Sequence, residues 1–316
     1  MLQKLQAMIY QIQEDGSMPT LITPYGEHSI SAILFDKDGT LLEFVSLWGS
    51  WGECFLARFS RQLEEHGLEF PAQHLASLLG TVHDAEGRII DYDRNGPLAM
   101  GTMNDLYAIL SWQGYLLGLS WAESMELTDR CRQEADALME QSKPVLPLPG
   151  LLHFLEECAA EGIPLAVVTA DETAAAENHL RWLGIRGYFS AVIGTDQVER
   201  GKPFPDMALL ACERLGIQPA EAAVIGDTNG DMRMAKAAGV AVAIGIASNA
   251  AAEAAAAAAT ARAGASSSPA GVNAAATERA AGSSRAADTR PVRSLLPDAD
   301  CLVQSYAELG IGRIAR

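Results

Sequence analysis

The chain has 316 residues, 49% of them hydrophobic, with a formal charge of −17 from 23 basic and 40 acidic side chains. That length can bury a sizeable core and has room for two domains. The acidic balance, with no clustered Lys/Arg stripe, excludes a nucleic-acid partner, because a phosphate backbone calls for a basic footprint.

Leu2, Leu5, Met8, Ile9 and Ile12 recur at roughly helical spacing, which predicts a short amphipathic helix within an N-terminal extension, residues 1–28. The segment lacks the uninterrupted apolar run of a secretory leader. Packing on the domain is its simplest use, with pairing to a second copy or contact with a membrane surface as alternatives. No apolar stretch is long enough for a transmembrane span.

The run Ile33-Leu34-Phe35 ends at Asp36 and Asp38, followed by Gly39-Thr40. A short apolar strand that delivers two carboxylates places them where open α/β sheets bind ligands, just beyond the carboxyl ends of the strands. Paired acids in a turn are, taken alone, more often solvated. By alternation Lys37, between them, points away from both acids, which favours a structural or rim role over catalysis; whether it contacts substrate stays open.

From residue 48 to 67 the pattern is continuously helical, with Trp51, Phe55, Phe59 and Leu63 on one face. Further helical stretches span roughly residues 71–79, 103–119 and 120–140. Turn-rich segments, residues 84–88 and 93–97, lie between them. Residues 47–141 therefore read as an all-helical cap inserted between two parts of a core, residues 29–46 and 142–248. Trp48 and Trp51 belong to the cap's interior on this reading, with a place at the active-site mouth as the alternative.

Residues 151–161 form the next predicted helix, closed by Gly162. The run Ile163-Pro164-Leu165-Ala166-Val167-Val168 ends at the hydroxyl of Thr169, Lys202 sits in the proline-stiffened loop Gly201-Lys202-Pro203-Phe204-Pro205, and Ala222-Ala223-Val224-Ile225-Gly226 delivers Asp227 and then Asp231. Each piece has a plain explanation: a turn hydroxyl, a solvated cation, an N-cap at Asp227 for the helix that Gly239 ends. Four such coincidences in this order are a different matter. The alternation of helices with short apolar strands predicts βαβ units and a parallel sheet covered on both faces.

These four elements, in this order, resemble the haloacid dehalogenase (HAD) superfamily of aspartyl-phosphate hydrolases. The resemblance spans about residues 31–246 and resumes near residues 300–309. It implies an α/β fold: a doubly wound parallel, Rossmann-like sheet with an inserted α-helical cap. It also implies a phosphoric monoester hydrolase. The residue chemistry agrees. Asp36 is the candidate nucleophile, and Asp38 the acid that protonates the leaving oxygen and later deprotonates water. Asp36, the Asp38 carbonyl and Asp227 are candidate Mg²⁺ ligands, with Asp231 orienting a water or ligand from behind them. Thr169 and Lys202 are candidates to hold the transferring phosphoryl oxygens.

The Asp38-Gly39-Thr40-Leu41 sequence and the cap make the chain similar to the phosphoglycolate phosphatase branch, an analogy that does not fix the substrate. The expected function is Mg²⁺-dependent phosphatase action on a small phosphorylated metabolite. A phosphomutase, or a phospho-accepting signalling module, are the rivals. Phosphonate hydrolysis through a cap amine is disfavoured, since no lysine lies between Leu47 and Ser142. Haloacid dehalogenation has no use for the Asp227 set.

Residues 249–290 turn to Ala, Ser, Gly and Thr, a low-complexity insertion expected to be marginal helix followed by disorder and dispensable for chemistry. Residues 291–316 would close the core. Five scattered cysteines without C-x-x-C spacing and six histidines without ligand spacing predict reduced thiols, no zinc and a cytoplasmic setting. Monomer and homodimer are both left open.

Overall fold

The computed structural model describes residues 18–70, 78–247 and 296–314. The predicted N-terminal helix, the Ala/Ser/Gly-rich insertion and most of the predicted helix at residues 71–79 lie outside them. In chain order the elements begin with β1 (Met18–Thr23), β2 (Gly26–Ser29) and β3 (Ala32–Phe35). Next come α1 (Ser50–Glu65), β4 (Thr81–His83), β5 (Ile89–Tyr92), α2 (Met103–Leu116), α3 (Trp121–Ser142) and α4 (Leu151–Ala160). The chain continues through β6 (Leu165–Val168), α5 (Thr173–Trp182), β7 (Ala191–Ile193), α6 (Asp206–Leu215), β8 (Ala222–Gly226) and α7 (Asn229–Ala238). It closes with β9 (Val242–Ile246), β10 (Cys301–Val303) and β11 (Gly310–Ile314).

Six strands form one sheet in the order β10-β9-β8-β3-β6-β7, and every neighbouring pair is parallel. Parallel sheets are stable when both faces are covered, which is why these strands are apolar at nearly every position. Alternation along β3 sorts the side chains: Ile33 and Phe35 join a core with Phe154 of α4 and Leu180 of α5. Leu34 points the other way, into a core with Met207 of α6 and Met232 of α7. The doubly wound α/β fold expected from the motifs is the fold observed.

Because β3 lies between β6 and β8, the chain reverses its direction of winding at this strand. The crevice at such a switch point is where α/β sheets bind ligands. Asp36 follows β3, Asp227 follows β8 and Thr169 follows β6, so three of the motifs meet at one edge through topology alone.

Cap helices pack over this edge. On α1, Trp51, Phe55, Phe59 and Leu63 are all buried, each contributing about 1.5–3 kcal/mol relative to exposure. Capping boxes start α2, where Thr102 pairs with Asp105, and α3, where Ser120 pairs with Glu123. Trp48 is buried as well, in the apolar cluster of the cap.

The cap is not all helical. β4 and β5 form an antiparallel hairpin, around a turn in which the Asp84 carboxylate accepts from the backbone N–H groups of Glu86 and Arg88. The turn was readable. The strands beside it were not, because three- and four-residue runs are too short to show a period.

Apart from the parallel sheet, β1 pairs with both β2 and β11 in an antiparallel three-stranded sheet. This places residues 18–28, the later part of the expected N-terminal extension, largely in strands. Their partner β11 lies nearly the whole chain away.

Candidate active site

The backbone leaves β3 at Asp36 and turns tightly. The N–H groups of Leu41 and Leu42 both donate to the Lys37 carbonyl, at 2.8 and 3.2 Å. Gly39 supports the turn with φ +76°, and a Cβ there would sit 2.2 Å from Asp227 Oδ2. Only glycine permits both the left-handed backbone and that approach.

Asp36, Asp227 and Asp231 are buried, and each offers a carboxylate oxygen within 4.8 Å of the others. Lys202 reaches them from the loop before α6, ion-paired with Asp36 and 2.6 Å from Asp231 Oδ1. Both oxygens of Asp231 are engaged, since Oδ2 closes the capping box of α7 by accepting from the N–H and hydroxyl of Thr228. The N-cap of that helix is thus Thr228, which frees Asp227 from the structural duty open to it in the sequence. The Thr40 hydroxyl lies 3.4 Å from both Asp36 Oδ2 and Asp227 Oδ1.

Three carboxylates, those of Asp36, Asp227 and Asp231, crowd around one Lys202 ammonium. Burial, with Asp231, Asp227 and Asp38 nearby, pushes the Asp36 carboxyl well up, although Lys202 pulls it down. Burial and the Asp231 charge push Asp227 up to about 7. Such buried, oxygen-only crowding is the donor chemistry that suits a hard divalent cation, and the residues present fit one.

Thr169 is fully buried, and its hydroxyl oxygen accepts from the Asp171 N–H at 3.1 Å, which leaves the hydroxyl hydrogen to donate. Asp38 pairs with a second lysine. Its Oδ1 accepts from Lys37 Nζ at 2.6 Å. The Lys37 reading from alternation is corrected here: the side chain is fully buried, not at a rim, and it turns toward Asp38. Strand periodicity ends with β3, so it says nothing about a residue within the following turn.

Three participants went unrecognised in the sequence. Asp171 Oδ2 lies 3.3 Å from both Lys37 Nζ and His179 Nδ1. Its two-residue offset from Thr169 repeats the Asp36/Asp38 offset and was a usable signal. Tyr92, at the end of the cap hairpin, donates to Asp227 Oδ2 at 3.0 Å, while its ring stacks on Phe44 at 3.8 Å. Nothing in the sequence pointed to it.

Between cap and core, a cavity of about 30 Å³ is lined by Asp38, Trp48, Leu98, Met103 and Asp171 among others. Trp48 thus serves both readings made of it, as cap interior and as cavity wall. A larger open depression of about 570 Å³, near Glu177, Arg186 and Arg214, contains none of the candidate residues. Among the described residues no helix is long and apolar enough to cross a membrane, and all five cysteines are free thiols.

Residues 30–239 match the family model for haloacid dehalogenase-like hydrolases. The chain belongs to that family. It is 40% identical over 131 residues to a Dickeya dadantii protein named "Probable phosphatase IndB", a match covering 40% of this chain and 56% of that one. It is 43% identical over 91 residues to the phosphoglycolate phosphatase of Escherichia coli K12, covering 29% and 36%. The matched parts therefore span about a third to just over half of these curated relatives. The crystal structure of a "predicted phosphoglycolate phosphatase" from Haemophilus somnus 129PT superposes with a TM-score of 0.51 at 20% identity, over 69% of this chain and 85% of that one. At that identity the likeness concerns the fold.

Proposed function

We propose that the protein is a Mg²⁺-dependent phosphatase that hydrolyses a small phosphorylated metabolite through an aspartyl-phosphate on Asp36. The observation that carries this reading is the buried cluster of Asp36, Asp227 and Asp231 closed by Lys202 at the switch point of the sheet. The phosphatase names of the sequence relatives support it.

Asp36 and Asp227, with the main-chain carbonyl of Asp38, would hold the cation, and Asp231 would act from behind through its contact with Lys202. A bound Mg²⁺ would neutralise charge on the phosphoryl oxygens and let two anions approach. The remaining steps belong to the chain. Lys202 and the Thr169 hydroxyl steady the phosphoryl oxygens as charge spreads over them. An Asp36 oxygen forms a bond to phosphorus as the bond to the leaving oxygen breaks, and Asp38 gives that oxygen its proton. Water then attacks phosphorus, the Asp36–phosphorus bond breaks, and Asp38 takes the water's proton.

A cavity of about 30 Å³ has room for about one water molecule. Substrate access therefore calls for the cap to open, and closure would exclude bulk water from the phospho-enzyme.

The test is Asp36→Asn assayed against a panel of phosphorylated metabolites with Mg²⁺. Turnover should fall by several orders of magnitude while the fold persists. Phosphate release near the wild-type rate would remove Asp36 as nucleophile. Transfer of phosphate between positions of one sugar, without net release, would favour a phosphomutase. A phospho-protein stable for many minutes would favour a signalling module.

A further inference from the structure

Lys37 lies between the two acids of the first motif, yet it takes no part in the chemistry proposed above. Its side chain is fully buried. Nζ is 2.6 Å from Asp38 Oδ1, 3.3 Å from Asp171 Oδ2 and 3.0 Å from His179 Nδ1. The Trp48 ring closes the fourth side, with its centroid 5.7 Å away. An ammonium so surrounded has no face left for a phosphoryl group.

The partners come from separate elements. Asp171 lies in the turn after β6, and its Oδ1 accepts from the Glu172 N–H at 2.8 Å, so that carboxylate is itself fixed. His179 lies on α5 and is nearly as buried, with its ring 6.2 Å from Trp48 and 5.0 Å from Trp182. Lys37 therefore ties the second carboxylate of the motif, on a turn, to the turn after β6 and to α5. Rotamer locking by such an outer contact is how a reacting group keeps productive geometry.

We propose that Lys37, held by Asp171 and His179, is a positioning residue that anchors Oδ1 of Asp38 and reserves Oδ2 for proton transfer with the leaving oxygen and, later, with water. The ammonium is shared between two carboxylates, so it fixes Oδ1 of Asp38 relative to Asp171 and leaves Oδ2 for the substrate side. This inference rests on the phosphatase reading.

The leaving group provides the test. Loss of an alkoxide needs a proton from Asp38, whereas 4-nitrophenolate departs without one. Comparing kcat/KM isolates the step up to leaving-group departure, so a slower breakdown of the phospho-enzyme does not enter. Lys37→Met, and the charge-balanced Lys37→Met/Asp171→Asn that removes one buried cation and one buried anion together, are each compared with wild type. The substrates are an alkyl phosphate that the wild type accepts and 4-nitrophenyl phosphate, with Mg²⁺. The double variant carries the test if the single one does not fold, because it removes the fully buried Asp171 anion with the ammonium and leaves only the partly exposed Asp38 without a cation.

The expected result is a fall in kcat/KM on the order of 10²-fold or more for the alkyl ester, and of less than about threefold for 4-nitrophenyl phosphate. Equal losses on the two substrates, or no loss on either, would overturn the positioning role while leaving the phosphatase reading intact. A wild-type protein that releases phosphate from no alkyl ester of a phosphorylated-metabolite panel, nor from 4-nitrophenyl phosphate, would overturn that reading, and this inference with it.

Discussion

Tyr92 of the cap donates its phenolic hydrogen to Oδ2 of Asp227 in the core, across 3.0 Å. Burial and the Asp227 charge push the phenol well above its ordinary value, so it stays a donor at any physiological pH. The contact links the cap hairpin to the carboxylate cluster, and the Arg94 guanidinium 4.8 Å over the Tyr92 ring steadies it from outside.

Tyr92→Phe keeps the ring and its stacking but removes the donor. Asp227 would then be buried short of one partner, and the chelated protein should lose about 1–3 kcal/mol. A bound divalent cation supplies what the hydroxyl did, so the deficit should shrink in Mg²⁺. Thermal denaturation in chelator and in Mg²⁺ checks this. An equal deficit in both would mean that the hydroxyl and the cation do not act on the same oxygen.

Metal affinity should depend on pH through Asp227. Its carboxyl is pushed up to about 7 by burial and Asp231, and a cation binds the ionised form. Below about pH 7, protons therefore compete, and the apparent Kd for Mg²⁺ should rise roughly tenfold per unit of falling pH. Above that value it should level off. Calorimetric titrations between pH 5.5 and 8, as approximate bounds, would show the break. A flat Kd across the range would show that the Asp227 carboxyl is ionised throughout it or does not hold the cation. Ca²⁺ should bind in place of Mg²⁺ and inhibit turnover, since its longer and looser coordination misplaces the phosphoryl group.

Gly39→Ala should damage the proposed metal site more than the fold. The left-handed backbone costs alanine about 1–2 kcal/mol, which a chain of this size tolerates. The added methyl, however, would stand 2.2 Å from Asp227 Oδ2, so the carboxylate must move. Mg²⁺ affinity should drop on the order of tenfold or more. The check is the Mg²⁺-dependent rise in Tm, which should be smaller than in wild type at equal metal.

Acid should weaken the fold partly through Asp171. Burial raises its carboxyl, but the Lys37 ammonium and the contact with His179 outweigh that and hold it below the ordinary range. A depressed folded value means that the unfolded chain takes up the proton first. The stability from Asp171 is therefore fully present above about pH 4 and is lost as pH falls through the depressed value. Asp171→Asn should cost on the order of 1–3 kcal/mol at neutral pH, because it leaves the buried Lys37 ammonium with Asp38 alone as counter-ion. The gap from wild type should close as the pH drops below about 4. Urea denaturation at pH 7 and pH 3, both approximate settings, measures both limbs. A gap that is constant with pH would show that Asp171 is not ionised in the folded protein.

Asp36, Thr169 and Asp227 were legible because each ends a short apolar run, and a run of that kind is a parallel strand whose tip faces the ligand crevice. The α1 face was legible from Trp51, Phe55, Phe59 and Leu63 through helical periodicity, and the ends of α2 and α3 carry their capping boxes in the sequence itself. These signals are local: spacing within a few residues decides them. Tertiary structure alone decided the rest. Pairing of β1 with β11 joins residues almost 300 positions apart, as Met18 with Ile314, and no local pattern encodes a partner so distant. Tyr92 meets Asp227 only because a hairpin too short to show a period carries it there. Lys37 turns inward because Asp171, after the neighbouring strand β6, and His179 of α5 meet it there, and the direction of a side chain in a turn follows from such partners, not from alternation.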